Sequence, residues 1–344
     1  MTRRILHLVG SPVDDFFAEL SHLYARDCLE ATADDALYEF NIADVAPGGH
    51  WGFPVGLDDD QLAACERMPL PDALTHIRAL DIDVVVPQMF CIPGMTNYRS
   101  LFETLGISMI GNTSDVMALA ADKAKTRAVV ADAGVAVPSG EVLRRGDAPT
   151  LQPPVVVKPV DADNSVGVGL VTRPEEFGAA LDAAWEHSER ALAERYVELG
   201  REVRCAVIVR SGELVALPVE EYAMDAVDKP VRDAADKLRR SQGGGMELVA
   251  KEATRAWIVD TDDPVVGRVQ EQARRCHEAL GCRDYGLFDF RIDPDGQPWF
   301  LEAGLYCSFA RKSVIPMMAS AAGISLQHLF ADFVEQATGR DGRR

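Results

Sequence analysis

The sequence has no apolar run long enough to cross a membrane, and it has few basic residues for its length. Its 344 residues contain 35 Lys and Arg against 54 Asp and Glu, which gives a formal net charge of −19. A membrane-spanning helix needs about 18 or more apolar residues, and nucleic acids and anionic membranes repel an acidic protein. We therefore expect no membrane segment and no nucleic-acid partner. The short apolar run after Arg4 is too brief for a signal peptide and indicates a buried strand.

Paired cysteine motifs are also missing. The seven cysteines include no Cys-x-x-Cys pair and show no ligand-like spacing with the seven histidines. An odd number of scattered cysteines is typical of reduced thiols, so we expect a cytoplasmic protein without a disulfide frame. Cys307 is a possible thiol nucleophile, but no base lies near it in the sequence. A small buried residue is therefore the preferred interpretation.

The chain is long enough for two or three packed subdomains, since 47% of its residues are hydrophobic. Residues 1–115 alternate buried strands with helical segments, which predicts an α/β domain built on an open parallel sheet. Residues 116–193 form a compact α+β unit, and residues 194–344 form a second one. A charged, glycine-containing stretch at residues 221–247 lacks sustained apolar periodicity and is interpreted as a mobile loop over a site.

Hydrophobic periodicity also predicts individual helices and turns. A helical period covers residues 61–80, and a longer helix covers 116–134, with Asp115 as its cap and Gly134 as its end. An alternating strand from Arg201 to Arg210 is followed by a hairpin turn. These elements supply the framework for the polar residues that follow.

Two carboxylates, Asp289 and Glu302, flank a predicted β-hairpin. If Asp295 and Gly296 form its two-residue loop, counting outward places Asp289 directly opposite Glu302. Directly opposed side chains lie about 4.5–5.5 Å apart, and like charges there repel each other. A bound cation or a shared proton would offset that repulsion. An oxygen-only pair suits Mg²⁺ that arrives with nucleotide phosphates.

Lys158 and the turn that follows it are a second polar feature. Lys158 lies in an apolar strand, where its ammonium group either meets an anion such as phosphate or reaches water at a sheet edge. The turn contains Asn164, Ser165 and Gly167, whose backbone amides could cradle phosphate oxygens. By itself such a turn is more often an ordinary hairpin. Its spacing from Lys158 favours the phosphate-binding interpretation.

The order and spacing of these residues resemble the ATP-grasp superfamily, and more closely its D-alanine–D-alanine ligase branch of carboxylate–amine ligases. The resemblance covers about residues 80–335 and implies the ATP-grasp fold. It is carried by an ordered set of short motifs: Asp122-Lys123, Lys158-Pro159, Ser165-Val166-Gly167, Glu194-Arg195-Tyr196-Val197 with Glu202, then Asp289, Glu302 and the segment from Ser313 to Met317. Each motif is weak alone, and the order makes the set specific.

The resemblance implies a role for each matching residue. Lys123 and Lys158 would contact nucleotide phosphates under the closing turn at 164–169, and Asp289 and Glu302 would hold Mg²⁺. The adenine hinge and ribose contact would be formed by Glu194, Tyr196, Val197 and Glu202. Lys229, Arg232 or Lys237 in the 221–247 segment would reach the phosphates when it closes, and we name Lys229 as the candidate. Phosphoryl transfer needs charge neutralisation and positioning, which lysines, amides and a metal supply.

Two positions depart from the family pattern. The family has Glu-x-Asn at the second metal segment, where this chain has Glu302-Ala303-Gly304, and an arginine two residues before the metal aspartate, where this chain has Leu287. The hairpin register pairs Leu287 with Gly304, so both departures fall at one spot. We expect Arg291, Arg311 or Lys312 to supply the missing charge. Ser313, in the family-like tail, is a further candidate catalytic residue.

We therefore expect an ATP- and Mg²⁺-dependent ligase that activates a small carboxylate as an acyl phosphate and joins it to an amine. The departures favour specialised metabolite biosynthesis over D-alanyl-D-alanine synthesis. Asp14 or Asp15 falls where relatives bind a substrate ammonium group, which keeps an amino-acid substrate plausible. An intramolecular cyclase, a small-molecule carboxylate kinase and a nucleotide-binding protein without catalysis are the alternatives. The resemblance also suggests a homodimer formed through the first domain.

Overall fold

The computed structural model of the chain describes residues 2–162, 165–225, 231, 238–240, 246–248 and 256–341. In this part of the chain the strands form a four-stranded sheet, a second four-stranded sheet, a six-stranded sheet and a separate pair. In chain order the elements are β1 (Arg3–Gly10), α1 (Asp15–Thr32), β2 (Tyr38–Val45), β3 (Trp51–Gly52), α2 (Asp59–Ala64), α3 (Leu70–Leu80), β4 (Val84–Pro87), α4 (Ile92–Met95), α5 (Asn97–Leu105), α6 (Ser114–Ala120), α7 (Lys123–Asp132), β5 (Gly140–Arg144), β6 (Val155–Pro159), β7 (Gly169–Val171), α8 (Phe177–Trp185), β8 (Arg190–Arg195), β9 (Arg201–Arg210), β10 (Glu213–Ala216), β11 (Glu220–Tyr222), β12 (Leu238–Arg240), β13 (Met246–Leu248), β14 (Ala256–Ile258), α9 (Pro264–Ala279), β15 (Tyr285–Ile292), β16 (Pro298–Gly304), α10 (Val314–Ala321) and α11 (Leu326–Asp341). The predicted mixture of α/β and α+β units is confirmed.

The first sheet is open and mostly parallel, with strand order β3-β2-β1-β4. β1 pairs in parallel with β2 and with β4, and the short β3 adds an antiparallel edge. Residues 5–10 of β1 are buried, as expected for a central strand covered on both faces. One cover is α11, whose Phe330 stacks on His7 and packs edge-on against Phe40. The first sheet therefore shares its core with the last helix of the chain.

The second sheet, β5-β8-β6-β7, is antiparallel and packs against α8. Its strand β8 continues to Arg195, so the domain boundary that we drew at residue 193 falls inside a strand. The predicted helix over residues 116–134 is wrong as one element, because it breaks between α6 and α7. Thr113 rather than Asp115 occupies the cap position of α6, and Asp122 caps α7 by accepting a hydrogen bond from the Lys125 amide at 3.0 Å.

The third sheet has the order β14-β11-β9-β15-β16, with β10 also paired to β9. Residues of β9 alternate between its two faces. Val203, Cys205 and Val207 join the core beneath α9, whereas Ala206 and Ile208 lie on the other face with α10 and α11. Among the described residues no single helix is long and apolar enough to span a membrane; α10 and α11 meet that test only as a pair, bent by 110°.

The hairpin of β15 and β16 has the predicted pairing of Asp289 with Glu302 and of Leu287 with Gly304. The predicted two-residue loop is wrong. The Asp293 amide donates to the Gln297 carbonyl at 3.1 Å, which leaves three loop residues, 294–296. A β-bulge between Asp289 and Phe290 then shifts the register by one residue. The longer loop and the bulge cancel, so the carboxylates still face each other.

Two other predicted segments are divided in the structure. The helical segment predicted over residues 61–80 is two helices, α2 and α3, because Met68 forms a β-bridge with Trp51 between them. The segment 221–247 was predicted to be a mobile loop over a site. It contains the end of β11, all of β12 and part of β13. Much of the remainder lies outside the described residues.

Candidate nucleotide and metal site

A cleft of about 670 Å³ lies between the second and third sheets. It brings together predicted site residues that are separated by more than a hundred positions in the sequence. The residues that line it include Lys158, Ser165, Val168, Glu194, Arg195, Val197, Glu202, Asp289, Arg291, Leu301 and Glu302. The cleft thus combines cations and carboxylates on the second and third sheets.

The opposed carboxylates line this cleft. Asp289 pairs across the sheet with Glu302 on one side and with Arg204 on the other. Lys123 Nζ lies 3.7 Å from Glu302 Oε1 and also donates to the Ala162 carbonyl. Two carboxylates close to cations are compatible with a divalent ion that phosphates accompany.

The donor set fits Mg²⁺ better than a metal held by protein alone. Within the described residues, no group of three or more His, Cys, Asp or Glu side chains is arranged to hold a metal ion. Mg²⁺ is commonly bound by one or two carboxylates and completes its octahedral shell with water and substrate phosphates. Asp289 and Glu302 supply two such carboxylates on neighbouring strands. Their metal-binding role stays a prediction that this chemistry supports.

Lys158 meets an anion of the protein itself. Its Nζ lies 2.6 Å from Glu194 Oε2 and 3.4 Å from the Leu301 carbonyl oxygen. Arg127 Nε donates to the other oxygen of Glu194 at 3.0 Å. Both Lys158 and Glu194 are buried. The ammonium group therefore does not reach water at a sheet edge, and it is held at the cleft wall where its predicted phosphate contact would form.

Arg291 and Glu202 form a buried pair at the hinge end of the cleft. Arg291 Nη2 lies 2.6 Å from Glu202 Oε2, and Arg291 Nη1 donates to the Val197 carbonyl at 3.3 Å. The guanidinium carbon lies 5.3 Å from the centre of the Tyr196 ring. Four residues of strand, about 13 Å, separate Arg291 from Leu287. The expectation that Arg291 fills the charge missing at Leu287 is therefore wrong in position.

The turn after Lys158 folds tightly against α8. Ser165 and Gly167 have positive φ values of 57° and 64°. A Cβ atom added at Gly167 would lie 2.9 Å from the Ala183 carbonyl oxygen, so only glycine fits there. Ser165 lines the cleft directly. Asn164 and the lid cations Lys229, Arg232 and Lys237 lie outside the described residues.

Arg311 and Ser313 lie on the segment that leads into α10. Arg311 Nη1 contacts Asp27 Oδ1 at 2.6 Å and Glu30 Oε2 at 3.2 Å, both on α1. Its charge is thus used in an exposed contact between the first domain and the last. Ser313 occupies the cap position of α10, and its hydroxyl donates to the Ala310 carbonyl at 2.8 Å. Catalytic roles for these two residues stay predictions.

The two departures from the family pattern do lie side by side. A Cβ atom at Gly304 would meet nothing closer than Leu287 Cδ2, at 4.0 Å. Gly304 also lines a second cavity of about 430 Å³, together with Met95, Lys123 and Tyr306. Burial raises the pKa of nearby Cys307 to about 12, which keeps its thiol neutral and disfavours a nucleophilic role. Open space therefore lies beside Gly304, next to Leu287.

Sequence reasoning missed Arg127 and Arg204. Arg127 lies on α7 and reaches Glu194 across 67 positions, so no local pattern marks it. Arg204 did have a signal. The alternation of β9 places residue 204 on the face of Glu202, as a lone cation inside a buried strand. The same reasoning that selected Lys158 applies to it.

Comparison with known proteins agrees with this geometry. A family model described as the C-terminus of D-ala D-ala ligase matches residues 141–335. The vancomycin B-type resistance protein VanB of Enterococcus faecalis is 32% identical over 247 residues, covering 70% of this chain and 69% of VanB. The D-alanine–D-alanine ligase structure from Coxiella burnetii superposes with a TM-score of 0.76 at 20% identity, covering 99% of this chain and 95% of that one.

A second solved structure, the Bacillus anthracis D-alanine–D-alanine ligase complexed with ATP, has a TM-score of 0.71 at 20% identity and covers 98% of each chain. These likenesses extend the fold to the first sheet, beyond the range of the family model. Enzymes of this family are ADP-forming carboxylate–amine ligases that use ATP and Mg²⁺. The chain belongs to the D-alanine–D-alanine ligase family of ATP-grasp enzymes.

Proposed function

We propose that this enzyme activates a small carboxylate, most simply that of an amino acid, as an acyl phosphate and then joins it to an amine. One observation carries the proposal. A single cleft brings the Lys158 strand and its tight turn against the opposed pair Asp289 and Glu302. Cations and backbone amides on one wall and two carboxylates on the other are the parts that phosphoryl transfer requires.

The chemistry balances without a protein nucleophile. A carboxylate oxygen of the substrate attacks the γ-phosphorus of ATP, and ADP leaves. The amine nitrogen then attacks the acyl carbon, inorganic phosphate leaves and the nitrogen loses a proton. When bound, Mg²⁺ neutralises phosphate charge. Lys123 and Lys158 would orient the phosphates, and the turn at 165–167 would keep water from the acyl phosphate.

The substrates are proposed to differ from those in the names of the relatives. Leu287 and Gly304 leave open, uncharged space beside the carboxylate pair. A substrate that fills this space, in specialised metabolism rather than in D-alanyl-D-alanine synthesis, accounts for both departures. The same observation favours one second candidate, a family member that binds nucleotide without turnover. Cytoplasmic location and a homodimer stay predictions.

The test is Mg²⁺-dependent ADP release with pairs drawn from a panel of D- and L-amino acids, with products identified by mass spectrometry. The proposal expects ADP release that requires a carboxylate, together with a condensed product. A stable phosphorylated acid without condensation would overturn the ligase in favour of a kinase. A product formed within one substrate would identify a cyclase. Tight ATP binding without turnover across the panel would favour the non-catalytic candidate.

A further inference from the structure

Four strands of the third sheet place charged side chains in one line across its cleft face. Reading across the sheet, Glu220 on β11 pairs with Arg204 on β9, Arg204 pairs with Asp289 on β15, and Asp289 pairs with Glu302 on β16. Directly paired side chains share a face of the sheet at about 4.5–5.5 Å. Arg204 therefore lies beside the candidate metal pair, with a carboxylate on each side.

The neighbouring row across the sheet holds no charge. It consists of Ala206, Leu287 and Gly304, paired in that order across β9, β15 and β16. Leu287 is the position where the family has arginine. A cation, Arg204, is present in the next row, the row of Asp289. It lies on β9, one strand away from Leu287 on β15. Arg204 is thus closer to Leu287 than the other candidate, Arg291, which lies beyond Asp289.

The Arg204 side chain is buried and incompletely bonded. Its exposed fraction is 10%, and its Nε donates to Glu220 Oε2 at 2.5 Å. Its Nη2 is buried and has no hydrogen-bond partner among the residues that the structure describes. Burial opposes its charge, but Tyr222, Glu220 and Asp289 raise the pKa of Arg204 above the ordinary value, so the cation persists. A buried charged donor without an acceptor is costly and is expected to find one in the working enzyme.

The surroundings indicate where that acceptor comes from. Burial raises the pKa of Tyr24 on α1, and the charge of Arg204 partly offsets this rise. Tyr24 packs edge-on against Phe90 at 5.2 Å, and Phe90 packs against Tyr306 at 5.5 Å. Tyr306 lines the same cavity as Gly304, so this aromatic row borders the open space there. The reacting carboxylate must approach the metal pair, and Arg204 adjoins that pair.

On the basis of the proposed function, we propose that Arg204 binds the carboxylate of the acyl substrate and so replaces the arginine missing at Leu287. A guanidinium presents donors in a planar fork that matches the two oxygens of a carboxylate. Nη2 is available for that contact, since Nε is bonded to Glu220 and Nη2 has no partner in the described part of the chain. The substrate is thereby specified as an anion held beside the Asp289 and Glu302 pair.

The first experiment compares Arg204→Met and Arg204→Lys with Arg210→Met. Arg210 is a matched control, because it also lies on β9 and its Nε contacts a carboxylate, Asp332, at 2.6 Å. Arg204→Met is expected to lower kcat/KM for the carboxylate substrate roughly 10- to 100-fold, the loss of one charge-assisted hydrogen bond. The affinity of Arg204→Met for Mg²⁺–ATP is expected to stay within about twofold of wild type. Arg204→Lys is expected to have an intermediate kcat/KM for the carboxylate substrate. An unchanged kcat/KM for the carboxylate in Arg204→Met overturns the proposal.

A second experiment relocates the cation. Leu287 has the two smallest side chains as its paired neighbours, Ala206 and Gly304, so Leu287→Arg has room. Adding it to Arg204→Met is expected to recover at least tenfold in kcat/KM. Because Arg204→Met removes the ion pair between Arg204 and buried Glu220, Arg204→Met with Glu220→Gln serves as the folding control. A loss that falls equally on ATP and carboxylate, or no recovery on relocation, shows a structural role and overturns the proposal.

Binding without turnover separates this proposal from the proposed function. Calorimetric titration of the amino-acid panel in the presence of Mg²⁺ and a non-hydrolysable ATP analogue reads carboxylate binding even where no ADP is released. Carboxylate binding that weakens at least tenfold in Arg204→Met but not in Arg210→Met supports the role of Arg204, even for a protein that is not a ligase. Wild-type binding of no acid in the panel, or equal binding by both variants, overturns it.

Discussion

Neutralising either carboxylate of the metal pair should abolish turnover without weakening the fold. Two unit charges about 5 Å apart repel by about 0.8 kcal/mol in water and about 3 kcal/mol at an effective dielectric constant of 20. Removing that repulsion is offset by lost attractions, to Lys123 at 3.7 Å for Glu302 and to paired Arg204 for Asp289. We therefore expect the free energy of unfolding of Asp289→Asn and of Glu302→Gln, measured without ligand, to lie within about 1 kcal/mol of the wild-type value.

Glu202→Gln is the matched comparison, because it also removes one charge from the same sheet face. Glu202 and Arg291 are 3% and 5% exposed, and breaking so buried a pair costs about 3–5 kcal/mol. Urea unfolding with and without Mg²⁺–ATP measures both effects. Ligand at 100 times its Kd should stabilise wild type by about 2.7 kcal/mol and the Asp289→Asn and Glu302→Gln variants far less. A loss above about 2 kcal/mol without ligand in either, or retained turnover, would refute the reasoning.

Three further outcomes follow from the structure. Gly304→Asn should change the free energy of unfolding by less than about 1 kcal/mol, since the nearest atom to a Cβ there is 4.0 Å away. Urea unfolding measures this change, and a larger loss of stability would contradict the prediction. The pKa values of buried His7 and His277 are lowered from 6.5 to about 4, so their contribution to stability is full above pH 6.5 and is lost as pH falls towards 4. At pH 5 each should have lost about 2 kcal/mol, and replacing either by leucine should flatten the measured pH dependence. Gly167→Ala should lower the free energies of ATP binding and of folding by about 1–3 kcal/mol more than Gly212→Ala does. Both glycines have positive φ, but only Gly167 lacks space for a Cβ atom. Equal effects of the two substitutions would contradict this prediction.

The pairing of Asp289 with Glu302 in the hairpin of β15 and β16 could be predicted from the sequence. Side chains alternate with a period of two, so a pair such as Asp289 and Glu302 faces the same side in any register that keeps their offset. The two-residue loop was wrong, but the bulge near Leu301 restored the offset. Short-range patterns predicted β9 and the hairpin because their apolar periodicity agrees with their burial.

Long-range contacts explain what the sequence could not show. The helix predicted over 116–134 breaks where Asp122 accepts from Arg190 at 2.9 Å and the Lys123 amide donates to the Val160 carbonyl at 2.9 Å. The Glu202 and Arg291 pair joins positions that are 89 residues apart. Such contacts follow from the packing of two sheets against each other. No local propensity encodes them.

The most direct test of the ligase claim follows an oxygen atom. Wild-type enzyme is supplied with Mg²⁺, ATP and a turnover-competent amino acid whose carboxylate is labelled with ¹⁸O, and the released inorganic phosphate is analysed by mass spectrometry. If the substrate carboxylate bound in the cleft at Asp289 and Glu302 attacks ATP, each released phosphate carries a single labelled oxygen. Labelled phosphate, ADP and condensed product then form in equal amounts. Unlabelled phosphate accompanying the product would contradict the acyl phosphate route and, with it, the central account of this site.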